Sequence, residues 1–134
     1  MGGYSTGYRL ERRVQRLYAQ CGWLATRFPK SGRGIYPADV LALKRLNGKT
    51  HIHIIECKNA SKEDKKNAIY IEVGQIQRLL KTANKHQAQG LVAFSFPRKH
   101  ARIIDANRLM SSGKMLHIKQ GNGTPIKDFL NEFI

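Results

Sequence analysis

Asp39 and the triplet Glu56-Cys57-Lys58 are the residues of this chain whose types and spacing suit a chemical reaction. Hydrolysing a phosphodiester needs a water activated near neutral pH and positive charge to meet the charge that builds on the phosphate. Magnesium supplies both, and it is held by carboxylates, a carbonyl and retained waters. Asp39 and Glu56 offer the carboxylates, and the backbone carbonyl of Cys57 offers a third oxygen whatever its side chain. Lys58 brings an ammonium to orient the water or to stabilise a phosphorane-like state. Lysine is common here, so an acid-x-lysine triplet with an upstream aspartate also arises by chance, and a Glu–Lys pair on an edge strand is its plain alternative.

The acids stand out because they are scarce: nine Asp and Glu against 24 Lys and Arg, a net charge of +15 over 134 residues. A chain this basic suits a polyanion. With 41% apolar residues it reads as one folded domain over 1–134, residues 1–7 forming a flexible start. Nucleic acid is favoured over a membrane, because no stretch has transmembrane length and no basic helix carries a continuous aromatic face. Charge alone fits a ribosomal or chromatin protein equally well. Cys21 and Cys57 form no CxxC pair, which argues against zinc and suits a soluble protein in a reducing, intracellular setting, with both thiols buried.

The elements that must position the acids follow from periodicity. Leu10, Val14, Leu17, Tyr18 and Cys21 recur at helical spacing, predicting a helix over 8–21 that stops at Gly22. Its other face carries Arg9, Arg12, Arg13 and Arg16, with Glu11 as its single acid, which is either a metal-site residue or half of an intrahelical pair. Strands are predicted over 23–28, 39–45 and 50–58, the last two joined at Asn47-Gly48, whose positions tolerate positive φ. That hairpin brings Asp39 near Glu56 and Lys58, which share a side of their strand with Ile52 and Ile54 while Cys57 points the other way. Residues 29–37 and 60–67 read as loops, the second lysine-rich and mobile. A helix over 72–87 exposes Val73, Ile76, Leu79, Leu80 and Ala83 on one face. Strands over 91–96, 101–105 and 114–119 follow, and a short helix with Ile126, Phe129, Leu130 and Phe133 ends the sequence. The class is α/β, a mixed central sheet flanked by helices. His51 and His53 share a strand face, where a solvent-facing pair is favoured over a metal site.

Several spaced blocks resemble the archaeal-type Holliday junction resolvases, a branch of the PD-(D/E)xK nucleases. They are Gly7, Glu11-Arg12, Arg27, Ser31, Pro37-Ala38-Asp39-Val40-Leu41, Ile55-Glu56-Cys57-Lys58 and Gln75. The likeness covers most of residues 7–95. It implies a restriction-endonuclease-like fold, a homodimer, and cutting of two opposed strands in a four-way DNA junction with Mg²⁺, for which Mn²⁺ substitutes. By position it implies Glu11, Asp39 and Glu56 as acidic metal-site residues and Lys58 as the catalytic lysine. Arg12, Arg27 and Ser31 become catalytic-site or phosphate contacts, and Gln75 is shared with the wider superfamily. The 31–39 loop is longer than the compact family version, as suits a relative from a virus or phage. The setting implied is the cytoplasm, or a host's cytoplasm for a viral protein. A sliding clamp or a recombinase is a conceivable partner that the sequence does not reveal.

The cations flanking this site, Arg9, Arg13, Arg16, Lys30, Arg33, Lys62, Lys65 and Lys66, are the expected DNA contacts, each with a solvated face as its alternative. A two-fold dimer places one site at each of two symmetry-related phosphates. Its interface is sought on the 91–96 strand or at Phe129 and Phe133, both of which serve equally as core. Three other functions stay open: a different endonuclease of repair, nicking or restriction type, a catalytically silent DNA-binding module, and an RNA-binding scaffold.

Overall fold

The computed structural model describes residues 2–29, 36–60 and 68–134, with side chains from residue 8 onward except 110–112. The expected loop residues Lys30, Ser31, Arg33, Lys62, Lys65 and Lys66 therefore lie outside the described residues.

Helix α1 spans Gly2–Gln20, beginning inside the stretch expected as a flexible start. Its apolar stripe is the predicted one: Leu10, Val14 and Tyr18 are buried, with Leu17 and Cys21 packed at their margin. Strands β1 (Leu24–Arg27), β2 (Val40–Leu46) and β3 (Lys49–Asn59) follow as an antiparallel meander. Asn47 and Gly48 both take positive φ, 52° and 79°, so the two-residue turn forms as its sequence requires. It fixes a register in which Leu46 faces Lys49 and Val40 faces Ile55.

Strand β4 (Ala68–Glu72) leads into α2 (Val73–Lys85), which buries Ile76, Leu79 and Ala83. Strand β5 (Gln89–Ser95) then pairs parallel to β3. Gly90 lets helix and strand approach closely, since a Cβ there would sit 3.3 Å from Leu79 Cγ. Strands β6 (Arg102–Asp105), β7 (Met110–Ser112), β8 (Met115–Lys119) and β9 (Thr124–Pro125) precede α3 (Ile126–Leu130) and a final 3₁₀ turn, Asn131–Phe133. The main sheet has the order β1-β2-β3-β5-β6-β9, and β4-β8-β7 form a second, three-stranded sheet.

The main sheet is mixed and covered on both faces. Against α1 and α3 lie Val40, Ala42, Ile55, Leu91 and Ala93. Against α2 and the small sheet lie Ile54, Val92 and Phe94, together with Ile69, Ile71 and Ile118. The expected class is the observed one, but β4, β7 and the second sheet were not foreseen.

Three smaller expectations change. His53 does not face solvent: it is 1% exposed, hydrogen-bonded through Nδ1 to Tyr18 Oη at 2.9 Å, and ringed by Trp23, Phe129 and Phe133. His51 packs on Phe133 beside it, at a ring separation of 5.2 Å. Cys21 and Cys57 form no disulfide, and both are half-buried instead of fully enclosed. The apolar run of β5 is interior to the sheet, so it offers no subunit interface, and Phe129 and Phe133 pack against the α1-side core. Among the described residues, no helix is long and apolar enough to cross a membrane.

Candidate active site and nucleic-acid groove

The strand directions bring the chemistry to one end of the sheet. The carboxyl ends of β1, β3 and β5 and the amino ends of β2 and β6 meet there. The amino-terminal half of α1 reaches the same end, because Tyr8 touches Arg27 at the close of β1.

Asp39 is held more firmly than its place just outside β2 suggests. Its N–H donates to Ile55 O at 3.0 Å, and its carbonyl accepts from Phe28 N at 2.8 Å. Its carboxylate Oδ2 accepts from the Cys57 N–H at 2.8 Å. The backbone is therefore tied to strands on both sides, and the side chain is aimed across to the triplet. Asp39 lies one residue before the Val40–Ile55 pair, at the end of β3 that carries Glu56 and Lys58. Glu56 and Lys58 share a face as the alternation predicts: Lys58 Nζ lies 3.7 Å from Glu56 Oε2, with both side chains largely buried, 28% and 15% exposed.

Glu56 and Lys58 follow Ile54 at every second residue and so lie on the α2 face of the sheet. Cys57 points to the other face, into the core under α1. Glu11 belongs to that other face too: it is 6% exposed on the inner side of α1, next to Leu10. The structure thus brings Asp39, Glu56 and Lys58 together, while Glu11 approaches from across the sheet. Among the described residues, no three His, Cys, Asp or Glu side chains assemble into a metal-holding group.

On the α1 face the same end opens into a groove of about 380 Å³, lined by Arg9, Arg12, Arg13 and Arg16 with Asn59 and Ser95. Asn59 and Ser95 are paired in register at the ends of β3 and β5. The groove floor thus begins one residue beyond Lys58. The expected DNA contacts Arg9, Arg12 and Arg13 line it. Arg27 lies nearby, its Nη2 donating to Tyr8 Oη at 2.7 Å and its guanidinium 4.1 Å from the Tyr8 ring. Arg12 approaches the same ring at 5.9 Å. Gln75 is half-buried in the first turn of α2.

Tyr8, Asn59 and Ser95 are site residues that the sequence reading passed over. Tyr8 had a signal, one helical turn before Arg12, in an aromatic–cation pair. Ser95 had a weaker one, a polar residue at the carboxyl end of an otherwise apolar strand. Asn59 had none beyond its place in the triplet's strand. Phe28 stacks on Tyr36 at 5.4 Å.

A family model described as the archaeal Holliday junction resolvase (Hjc) family matches residues 3–133. Among solved structures, the Hjc resolvase of the hyperthermophilic archaeon Archaeoglobus fulgidus superposes with a TM-score of 0.75 at 23% identity, covering 92% of this chain and 99% of that one. D212, a nuclease from a fusselovirus, gives 0.55 at 10% identity, covering 97% of this chain and 88% of that one. At these identities the two likenesses are of fold. No curated protein sequence matches the chain.

Proposed function

The chain belongs to the archaeal Holliday junction resolvase family, and we propose that it resolves four-way DNA junctions by hydrolysing phosphodiesters at the Asp39–Glu56–Lys58 end of its sheet. The observation that carries the site assignment is the Cys57 N–H bond to Asp39 Oδ2, which locks one carboxylate beside the strand bearing the other two groups.

The donors present fit magnesium. The Asp39 carboxylate is bonded to the Cys57 N–H and the Cys57 carbonyl lies between Glu56 and Lys58 in sequence, so the candidate donors Asp39, Glu56 and that carbonyl are all hard oxygens. Two side-chain carboxylates without a third are what this ion takes when waters and substrate phosphate complete its shell. When bound, a divalent ion polarises the phosphate and makes a neighbouring water more acidic. Manganese, with the same preference for oxygen, is the expected substitute.

The chain's own residues do the rest. Lys58 presents an ammonium to the phosphate as negative charge develops, and Glu56 holds it in place. Arg12 and Arg27, stacked about Tyr8, supply guanidiniums to the phosphates that flank the cut. Glu11, buried on the inner side of α1, takes the metal-site role that the family implies, and Ser31 and Gln75 keep the lesser roles that it implies. A junction presents two equivalent phosphates, so a homodimer with one site per protomer cuts both strands in step. The substrate puts the working protein inside a cell, with chromosomal or viral DNA.

Cleavage of four-way junctions and of matched linear duplexes, with Mg²⁺ and with chelator, tests this. Paired nicks at the junction are expected, with linear duplex spared and chelator abolishing the reaction. Asp39→Asn keeps an acceptor for the Cys57 N–H but loses the charge, and Glu56→Gln is its counterpart. Each should slow cleavage by about 100-fold or more while junction affinity stays within about twofold. Wild-type cutting rates in either variant rule the site assignment out.

A further inference from the structure

We propose that the β5–β6 turn, with Arg98 at its apex, holds the phosphate backbone of a duplex arm that leaves the arginine groove past Arg13, Arg16 and Lys127. This rests on the junction-DNA reading above.

The groove does not end at α1. Arg13 and Arg16 also line a second cavity of about 500 Å³, walled by His100, Lys127 and Pro125. His100 and Pro125 in turn line a third, of about 350 Å³, which Lys99 borders. Shared residues thus join the three hollows into one track that starts beside Asn59 and runs past the start of β6 to the turn. Arg13, Arg16, Lys99, His100 and Lys127 are exposed, and among the described residues none is ion-paired with an acid. One carboxylate, Asp128, borders the middle hollow.

The scale suits a duplex. A helical rise of 1.5 Å per residue spreads Arg9 to Arg16 over about 10 Å, close to three base-pair steps of about 3.4 Å. A nucleic acid held there needs further cations along its path, and the second and third hollows provide them.

The turn itself points the same way. Lys99 N–H donates to Phe96 O at 3.1 Å, so Pro97 and Arg98 are the central residues of a tight turn. Arg98 has φ 63°, the position where such turns favour glycine. Its side chain is exposed, and among the described residues it makes no hydrogen bond or ion pair. A charged residue kept in a glycine position is explained by a ligand that its charge meets.

Arg98→Gly is the discriminating variant, because it relieves the backbone while removing the charge, and Arg98→Lys restores the charge. Binding of the full chain is measured across a salt series to two four-way junctions, one with long arms and one with arms cut to a few base pairs. Arg98→Gly should bind the long-armed junction about fivefold more weakly, with a log–log salt slope shallower by about 0.9, the share of one phosphate. It should match the unaltered protein on short arms, keep its thermal midpoint, and Arg98→Lys should recover affinity. Unchanged affinity of Arg98→Gly for long arms overturns the proposal. An equal loss on both junctions also overturns it, because the turn would then lie at the branch point. Failure of the junction reading is visible separately: the unaltered protein would bind linear duplex as tightly as junctions, yet Arg98→Gly would still weaken binding to that duplex.

Discussion

The aromatic ring of Tyr8 shows how a residue without chemistry of its own can govern residues that have it. It is 40% exposed, so its loss should barely alter stability, but two guanidiniums use it as a shared surface. Cation–π contacts at exposed sites contribute about 0.5–1 kcal/mol each, enough to set a rotamer. Tyr8→Ala should therefore lower the single-turnover cleavage rate about tenfold, with Tyr8→Phe falling between it and wild type and unfolding temperatures unchanged. A Tyr8→Phe rate equal to that of Tyr8→Ala would assign the effect to the hydroxyl alone. Asp39, Glu56 and Lys58 were legible in the sequence because scarce acids and strand alternation are both written locally. Tyr8, Asn59 and Ser95 were not, since their meaning comes from neighbours that only the closed sheet supplies. Glu11 was legible as an outlier among arginines, but which face of the sheet it approaches from was not.

Among the elements, those with a local signature were readable and those defined by distant pairing were not. The β2–β3 hairpin announces itself in Asn47-Gly48, and α1 and α2 in their apolar stripes. Strand β4 follows a lysine-rich stretch and gains its identity only by pairing with β8, where Ala68 faces Lys119 and Glu72 faces Met115. The turn before β9 shows the same dependence. Arg102 donates from Nε to Asn122 O at 2.9 Å and from Nη2 to Gly123 O at 2.8 Å, fastening that turn to β6. Gly123 has φ 70°, and a Cβ there would lie 2.4 Å from the Ile103 carbonyl oxygen. Gly123→Ala should thus cost roughly 2 kcal/mol or more, visible as a lower urea midpoint with an unchanged slope.

For the whole molecule, charge and burial pull in different directions. The net charge of +15 suits a polyanion outside, while a neutral imidazole is kept inside. Burial, with a smaller effect from His51, lowers the His53 pKa from 6.5 to about 3. The unfolded chain takes up this proton below about pH 6.5, while the folded chain refuses it until about pH 3. Stability from this site is complete above pH 6.5 and declines on acidification by about 1.4 kcal/mol per unit through that window. Urea unfolding at pH 7 and pH 5 should show the loss, and His53→Gln should flatten the difference. Equal pH dependence in that variant would clear His53 of the role. The Asn47–Gly48 turn carries a practical consequence. Strand rise separates it from Asp39 by about 26 Å, at the end of the sheet away from the carboxylates and the groove. It is exposed and belongs to no packed face. A dye, a surface tether or a short inserted tag placed in this turn leaves the cutting end open, so it is the natural handle for watching single protein molecules engage a junction.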